Sequence, residues 1–228
     1  EVKPNIVLVH GDTTTAFASA LSAFYARVPI GHVEAGLRTF NKGYPFPEEI
    51  NRVLADAVSD LHFAPTEGSI ENLLNSGIKE GILNAGMDNS YQDGRRIYKT
   101  GNTVIDALLY TVKKDFNLSY LGLREDLKTI LLTSHRRENF GKPLENICDA
   151  VLDIIKAYKD VEIVYPVHLN PNVRDIVFKK LDGVERVKLI EPLDYAPFCA
   201  LMKKAHIILT DSGGVQEEAP SLGVPVLV

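Results

Sequence analysis

The chain has 228 residues, and because domains typically hold about 150 residues, this length predicts one large domain or two small ones. Its 45% hydrophobic and 24% charged residues are ordinary for a soluble globular protein, which excludes disordered, collagen-like and coiled-coil classes. A net charge of −5 argues against the broad basic surface that binds nucleic acid or an anionic membrane. No apolar run approaches the ~18 residues of a membrane span, and no basic-then-apolar leader opens the chain, so we expect a cytoplasmic protein.

Short β-branched apolar runs alternate with segments of helical period, a pattern typical of βαβ units that form parallel sheets with helices on both faces. The predicted strands are Asn5–Val9, Ile30–Val33, Leu61–Ala64, Arg96–Thr100, Thr129–Thr133, Val161–Tyr165, Val187–Leu189, Ile207–Thr210 and Val224–Val228. The predicted helices are Thr14–Ala26, Pro47–Ser59, Ser69–Ser76, Thr103–Asp115, Pro143–Tyr158, Asn172–Leu181, Ala196–Lys204 and Val215–Leu222. Pro220 should kink or terminate the last helix.

Two irregular stretches interrupt this alternation. Phe116–Asp126 separates a helix from a strand, so we place a domain boundary there, with an N-terminal domain of residues 1–118 and a C-terminal domain of residues 119–228. Ile82–Arg95 is polar and rich in Gly, Asn and Asp, which predicts an exposed loop. The sequence therefore predicts two Rossmann-like halves.

The two cysteines, Cys148 and Cys199, lie in separate amphipathic segments without the Cys-x-x-Cys or Cys/His spacing of a metal site. We therefore expect buried thiols, no disulfide framework and no metal.

Open parallel sheets bind ligands outside the carboxyl ends of their strands, so the residues that follow each predicted strand are the informative ones. Asp12, Glu34 and Glu48 are the carboxylates of the N-terminal half at such places. Carboxylates that share a poorly solvated site can be tuned for general acid and base catalysis. Capping of a helix is the ordinary alternative for Asp12, and compensation of a helix dipole is the alternative for Glu48. The occurrence of all three at one predicted rim favours the catalytic interpretation.

The C-terminal half offers a strand-to-helix turn that begins at Asp211. Ser212 can cap the helix, and Gly213 and Gly214 let a ligand such as a phosphate approach the backbone. An ordinary capped turn is the alternative, and it is the better one for Ser-Gly-Gly alone. Glu218 would ordinarily be a solvated helix carboxylate, but with a nucleoside diphosphate at the turn it is placed to accept from ribose hydroxyls.

Basic residues follow two other strands of that half: His135, Arg136 and Arg137 after one, and His168 after the other. A lone histidine at such a place is more often structural than catalytic, and no spacing supports a metal. The arginines suit a diphosphate or a carboxylate, with a solvated basic turn as an equal alternative. The sequence has no dinucleotide-binding, P-loop or nucleophile-elbow motif, so oxidoreductase, P-loop and hydrolase interpretations lose their main support.

Seven strings in this sequence resemble the non-hydrolysing UDP-N-acetylglucosamine 2-epimerases. They are VHGDTTT (Val9–Thr15), GHVEAGLRT (Gly31–Thr39), PFPEEINR (Pro45–Arg52), TGNTVIDAL (Thr100–Leu108), SHRRENFG (Ser134–Gly141), PVHLNPNV (Pro166–Val173) and TDSGGVQEEAPSLGVPVL (Thr210–Leu227). They come in the family's order and extend over nearly the whole chain, so the match is more specific than any single glycine-rich turn.

The resemblance implies a glycosyltransferase-B arrangement of two Rossmann-like domains, a homodimer, and no metal or nicotinamide cofactor. The implied reaction inverts C2 of UDP-N-acetylglucosamine to give UDP-N-acetylmannosamine for polysaccharide biosynthesis, by eliminating UDP to 2-acetamidoglucal and adding it back. The implied catalytic set is Asp12, Glu34 and Glu48, with His135 near the leaving phosphate. The implied UDP-binding residues are His168, Ser212, Gly213, Gly214 and Glu218, with Arg136 as a further contributor.

The family pattern extends beyond both Glu1 and Val228, so we expect this sequence to be a fragment of a longer epimerase, weakly active or inactive by itself. Two alternatives stay open. One is a hydrolysing epimerase that releases N-acetylmannosamine and UDP, against which Thr13-Thr14-Thr15 counts. The other is a nucleotide-sugar-binding fragment without turnover.

Overall fold

The computed structural model describes residues 3–78, 96–136 and 139–228, and the loop predicted at Ile82–Arg95 lies outside them. The chain divides into two compact units, Glu1–Thr103 and Val104–Val228. The boundary expected after residue 118 places the fourth helix in the first unit, whereas the structure packs that helix with the second. The reason is Leu108, which is fully buried among core residues of the second unit.

The first unit contains a parallel sheet with strand order β1-β2-β3-β4. Its strands are β1 (Val7–His10), β2 (Ile30–Val33), β3 (Leu61–Ala64) and β4 (Arg96–Lys99). Its helices are α1 (Thr14–Tyr25), α2 (Glu48–Val58) and α3 (Glu67–Asn75). The buried face of α1 consists of alanines, Ala16, Ala20 and Ala23, whose small side chains let the helix lie close to the sheet.

The second unit begins with α4 (Thr103–Thr111) and contains a parallel sheet with strand order β7-β6-β5-β8-β9. Its strands are β5 (Lys128–Thr133), β6 (Val161–Pro166), β7 (Val187–Ile190), β8 (Ile207–Thr210) and β9 (Val226–Leu227). Its further helices are α5 (Lys142–Ala157), α6 (Pro171–Leu181), α7 (Tyr195–Lys204) and α8 (Gly213–Glu218).

Helices cover both faces of this second sheet, because successive residues of a strand point to opposite sides. Ile130, Leu132 and Ile163 pack in one cluster with residues of α5 and α6. Leu131 and Val164 pack in another cluster with residues of α4 and α7. The predicted α/β fold with parallel sheets is confirmed.

The regular α-helical part of the last helix, Gly213–Glu218, is shorter than the predicted Val215–Leu222. α8 gives way to a 3-10 helix at Ala219–Leu222, which has Pro220 in its first turn. Proline lacks the backbone N–H that an α-helix needs and clashes with the preceding turn. The expectation that Pro220 terminates the helix is therefore confirmed.

The structure also confirms that both cysteines are buried and free. Burial raises the pKa of the Cys148 thiol to about 11, so this side chain is a protonated core residue at neutral pH. Within the ranges described, no helix has the length and apolar character needed to cross a membrane.

Gly36 determines how closely the turn after β2 approaches α3. Its φ of 80° lies in the left-handed region, and a Cβ there would overlap the backbone carbonyl of Ser69 and lie 2.8 Å from Leu73 Cγ. The Gly36 carbonyl also accepts a hydrogen bond from Asn72 Nδ2 at 3.0 Å. Any side chain at this position would push the turn away from α3.

We expect Gly36→Ala to destabilise the protein more than Gly77→Ala, which is the matched control. Gly77 has a similar φ of 84°, but among the described residues no atom beyond its chain neighbours lies within 4 Å of its would-be Cβ. The control should lose only the left-handed backbone cost of about 1–2 kcal/mol, and Gly36→Ala should lose a further ~1–3 kcal/mol from overpacking. Urea unfolding followed by circular dichroism measures both, and equal losses would contradict the packing argument.

Candidate functional site

Asp12 lies in the turn after β1 and forms an ion pair with Arg52 of α2. Its backbone carbonyl accepts a hydrogen bond from Asn51 Nδ2 at 3.0 Å, so two successive residues of α2 hold this turn. Thr13 caps α1, because its Oγ1 accepts from Ala16 N at 3.1 Å. Asp12 is therefore not the helix cap, and its side chain remains 26% exposed.

Glu34 lies in the turn after β2 with a φ of 71°, a left-handed conformation that non-glycine residues rarely adopt. Its Oε2 is 3.6 Å from His10 Nε2. The same oxygen is 3.1 Å from the position that a Cβ would take at Gly11, the residue before Asp12. The turns that carry Asp12 and Glu34 therefore adjoin at one rim of the first sheet.

Two adjacent glutamates begin α2 and have different surroundings. Glu49 is buried and accepts hydrogen bonds from Arg38 Nε at 2.8 Å, Thr39 N at 3.0 Å and Phe40 N at 3.1 Å. Burial by itself raises the pKa of Glu49, but these hydrogen bonds, led by the one from Thr39 N, lower it below its usual range. Glu48 is only half-buried, so of the two it is the carboxylate that a ligand can reach.

A buried histidine lies beneath these turns. His32 of β2 contacts Asp56 Oδ1 through Nδ1 at 2.6 Å and the Gly11 carbonyl through Nε2 at 2.8 Å. Burial lowers the pKa of His32, but the hydrogen bond to Asp56 and its charge outweigh burial and raise it overall. An imidazole can donate from both nitrogens only when it is protonated. Asp56 Oδ2 also accepts from Gly36 N at 3.3 Å, so this ion pair joins the turns after β1 and β2.

Asp211 plays a comparable part in the second unit, where it follows β8. Its Oδ2 accepts from Ser134 Oγ at 3.1 Å, His135 N at 2.9 Å, Arg136 N at 2.9 Å and Asn139 Nδ2 at 2.8 Å. Burial raises the pKa of Asp211, but the hydrogen bonds, of which that from Arg136 N lowers the pKa most, bring it below its usual range. The Asp211 carboxylate thus holds the backbone turn that follows β5 in its conformation.

The predicted site histidines of this unit lie side by side. The rings of His135 and His168 stack with their centroids 6.2 Å apart and an interplanar angle of 20°. His135 Nδ1 lies 3.2 Å from Asp211 Oδ1, whereas His168 Nδ1 accepts from Asn170 N at 3.1 Å. The two Nδ1 atoms therefore have different partners, a carboxylate for His135 and a backbone N–H for His168.

A cavity of about 270 Å³ lies beside these rings. Its wall combines His135, His168 and Ser212 with the apolar side chains of Leu193 and Phe198. A few convergent polar groups on a largely apolar wall are typical of small-molecule sites. This wall suits a small molecule with both apolar and polar parts.

The turn at the start of α8 is open to a ligand. Ser212 is the N-cap residue, but its side chain makes no capping hydrogen bond, so the predicted side-chain cap is not formed. An Arg136 guanidinium nitrogen lies 3.5 Å from the position that a Cβ would take at Gly213, and Gly214 is exposed. The guanidinium therefore lies over a turn without bulky side chains.

The ordinary alternative for Glu218, a solvated carboxylate on a helix, does not describe its surroundings. It is only 8% exposed, and burial, with a smaller contribution from the charge of Glu217, raises its pKa. A buried carboxylate is stabilised when donors reach it. Glu218 is therefore suited to accept hydrogen bonds from hydroxyl groups of a ligand.

Sequence reasoning missed the buried groups that hold these turns, namely His32, Glu49, Asp56 and Asp211. Asp211 directly follows a strand and could have been selected on that ground, whereas His32 and Asp56 lie inside regular elements and give no such signal. Arg137 lies outside the described residues. Among the residues with described positions, no group of three or more His, Cys, Asp or Glu side chains could hold a metal ion.

The UDP-N-acetylglucosamine 2-epimerase family model matches residues 1–228. The chain belongs to this family. It is 53% identical to the UDP-N-acetylglucosamine 2-epimerase of Bacillus subtilis over 228 residues, which cover 100% of this chain and 56% of the relative. The chain thus spans a little over half the length of the curated relative.

Two solved structures of similar proteins contain ligands. The UDP-GlcNAc 2-epimerase of Neisseria meningitidis, bound to UDP-GlcNAc, has a TM-score of 0.80 and 48% identity over 99% of this chain and 59% of that one. The S. aureus MnaA–UDP structure has a TM-score of 0.81 and 50% identity over 99% of this chain and 58% of that one. This chain is therefore similar, in fold and in sequence, to two proteins whose structures contain UDP or UDP-GlcNAc.

The pair of His32 and Asp56 predicts a pH dependence of folding. A histidine whose pKa is higher in the folded than in the unfolded state stabilises the fold fully below the unfolded pKa, and the contribution is lost as pH rises through the folded pKa. We therefore expect the free energy of unfolding to fall as pH rises above about 6.5, the ordinary histidine pKa. His32→Gln should be less stable than the native chain below that pH and should lack this fall.

His62 is the matched control for this experiment. It is also buried, but burial lowers its pKa, so its contribution has the opposite sign and is lost as pH falls below about 6.5. His62→Gln should therefore keep the fall above that pH. Urea unfolding across a pH series distinguishes the variants, and a native-like profile in His32→Gln would contradict the assignment.

Proposed function

We propose that this chain carries the proton-transfer and UDP-binding residues of a non-hydrolysing UDP-N-acetylglucosamine 2-epimerase, which interconverts UDP-N-acetylglucosamine and UDP-N-acetylmannosamine. One observation carries the proposal, namely that the carboxylate turns of Asp12 and Glu34 adjoin at the ends of parallel strands in a chain of this family. The proposed reaction needs closely placed acid and base groups.

The chemistry follows from the weak acidity of the hydrogen at C2 of the sugar. In the proposed route, a carboxylate removes this proton while the bond between C1 and UDP breaks, which leaves the C1–C2 double bond of 2-acetamidoglucal. UDP then adds back at C1, and a proton reaches C2 from the opposite face. Such a route needs proton-transfer groups on both faces of the sugar. We assign these tasks to Asp12, Glu34 and Glu48.

UDP binding belongs to the second unit in this proposal. His135 acts near the leaving phosphate, and the UDP-binding set is His168, Ser212, Gly213, Gly214, Arg136 and Glu218. The guanidinium of Arg136 over the Gly213 turn supports a phosphate there, since an arginine fork matches phosphate geometry. The buried carboxylate of Glu218 supports contact with ribose hydroxyls.

Two further predictions and one alternative accompany this proposal. A homodimer is implied by the family resemblance, a cytoplasmic location was expected from the sequence pattern, and both stay predictions. The hydrolysing reaction, which would release N-acetylmannosamine and UDP, is the alternative within the enzyme class. The fate of UDP therefore has to be part of the test.

We expect C2 exchange in a chimera in which this chain replaces the matching 228 residues of the Bacillus subtilis relative. Proton NMR of UDP-N-acetylglucosamine in deuterated water should show deuterium at C2 and UDP-N-acetylmannosamine. Asp12→Asn should slow exchange by about 10²-fold or more because a proton-transfer group is lost. UDP affinity should stay within a few-fold, because the proposed UDP-binding residues belong to the other unit.

Glu71→Gln on the exposed side of α3 is the control for removing a carboxylate and should keep full exchange. Absence of exchange in the native chimera would exclude the epimerase function, and with retained UDP binding it would select the binding-fragment alternative. Free N-acetylmannosamine would select the hydrolysing reaction. Loss of UDP affinity in Asp12→Asn would make Asp12 a binding or folding residue.

Glu218 should distinguish ribose from deoxyribose. Hydrogen bonds to a charged group contribute about 1.5–3 kcal/mol, so we expect Glu218→Gln to weaken UDP binding by roughly tenfold or more. The native preference for UDP over 2′-deoxy-UDP should shrink in this variant and persist in Glu217→Gln, which alters an exposed neighbour. Calorimetric titration of the native chain and both variants with each nucleotide measures all six affinities, and an unchanged preference in Glu218→Gln would contradict the ribose contact.

A further inference from the structure

The carboxylate of Asp211 presents its two oxygens to different groups. Oδ2 accepts from four donors, namely Ser134 Oγ, His135 N, Arg136 N and Asn139 Nδ2, at 2.8 to 3.1 Å. Oδ1 faces the His135 ring, with its Nδ1 at 3.2 Å, and lies 3.2 Å from the His135 N–H. Oδ2 thus shapes the backbone turn, and Oδ1 lies beside the imidazole Nδ1.

Asp211 is well placed to do this because β8 and β5 are neighbours in the sheet. Thr133 and Thr210 are register partners, and their hydroxyl oxygens lie 2.6 Å apart in the buried interior. Tyr165 OH, fully buried, donates to the Ser134 carbonyl at 3.1 Å. The turn after β5 is therefore anchored from two neighbouring strands, and Asp211 itself is only 12% exposed.

We propose that Asp211 is a positioning residue that holds His135 in the tautomer with its proton on Nδ1, so that Nε2 is directed to the phosphate side of the site. The role of His135 near the leaving phosphate rests on the proposed function, whereas the tautomer does not. A neutral imidazole has one donor and one acceptor nitrogen. An N–H facing a carboxylate at Nδ1 leaves Nε2 as the acceptor, which can take up and return a proton.

His168 provides a built-in contrast. Its Nδ1 accepts from Asn170 N at 3.1 Å, so the neutral ring carries its proton on Nε2. The two stacked rings therefore hold opposite tautomers, one suited to accept a proton and the other to donate a hydrogen bond. This difference follows from the partner of each Nδ1 atom.

Asp211→Asn should reverse the His135 tautomer. Four donors converge on the Oδ2 position, so the amide oxygen of the variant must occupy that position. The amide NH₂ group then faces His135 Nδ1 and forces it to accept, which moves the ring proton to Nε2. Replacing the orienting carboxylate by an amide in serine-protease triads gives the wrong tautomer and lowers kcat by about 10⁴-fold.

The test uses ¹⁵N-histidine-labelled chain and long-range ¹H–¹⁵N correlation spectra at a pH above the histidine range. The chain has six histidines, and the His135 signals are assigned by their loss in His135→Gln. We expect an Nδ1–H ring in the native chain and in Asp211→Glu, which keeps the carboxylate, and an Nε2–H ring in Asp211→Asn. Asp194→Asn, at an exposed N-cap without a side-chain capping bond, is the control and should keep Nδ1–H.

An Nε2–H ring in the native chain, or an unchanged tautomer in a folded Asp211→Asn, overturns the proposal. If Asp211→Asn does not fold, the native chain and Asp211→Glu still decide it, because both must show Nδ1–H.

In the Bacillus subtilis chimera, Asp211→Asn should lower kcat for C2 exchange by about 10²-fold or more. A reversed tautomer with unchanged kcat would support positioning by Asp211 and exclude the proposed role of His135. A native chimera without exchange would exclude the epimerase function and leave the tautomer result standing.

Discussion

Backbone N–H groups just beyond the ends of parallel strands set the main constraint on this protein. These donors have left the strand ladder, and burying one without a partner costs about 1–3 kcal/mol. Carboxylates accept from them in both units: the buried Asp56 and Glu49 in the first, and the largely buried Asp211 in the second. Each carboxylate contacts an arginine or a histidine. Removing one partner of a fully buried pair such as His32 and Asp56 costs about 3–5 kcal/mol.

Because the buried carboxylates hold the turns in place, other carboxylates at the same rim can stay exposed to a ligand. Glu49 anchors the segment that precedes α2, while Glu48, its neighbour on the helix, is only half-buried. Successive residues of an α-helix point about 100° apart, so a helix that buries one glutamate turns the next one away. The Glu34 side chain likewise remains one-third exposed although its turn is held by Asp56 through Gly36. Some carboxylates thus keep the turns rigid, and different carboxylates stay accessible to a ligand.

The sequence predicted the elements well and the supports of the site poorly. Period-2 and period-3.6 patterns reflect burial along one strand or helix, and Pro220 acts through local backbone chemistry, so both can be recognised in a linear sequence. The acceptor role of Asp56 depends on Gly36 and His32, which belong to other parts of the chain. The structure divides the chain earlier than expected for the same reason, since Leu108 is buried by contacts distant in sequence.

The charge state of these supports determines the conditions in which the turns keep their shape. Glu49 and Asp211 have pKa values below the usual range, so they stabilise the fold above the unfolded pKa, and their contribution is lost as pH falls through the folded values. Mild acid therefore leaves both carboxylates charged and their turns intact. The raised pKa of His32 favours its protonated form under the same conditions, and this form keeps its bond to Asp56. The hydrogen bonds that shape the site are thus most complete from mildly acidic to neutral pH.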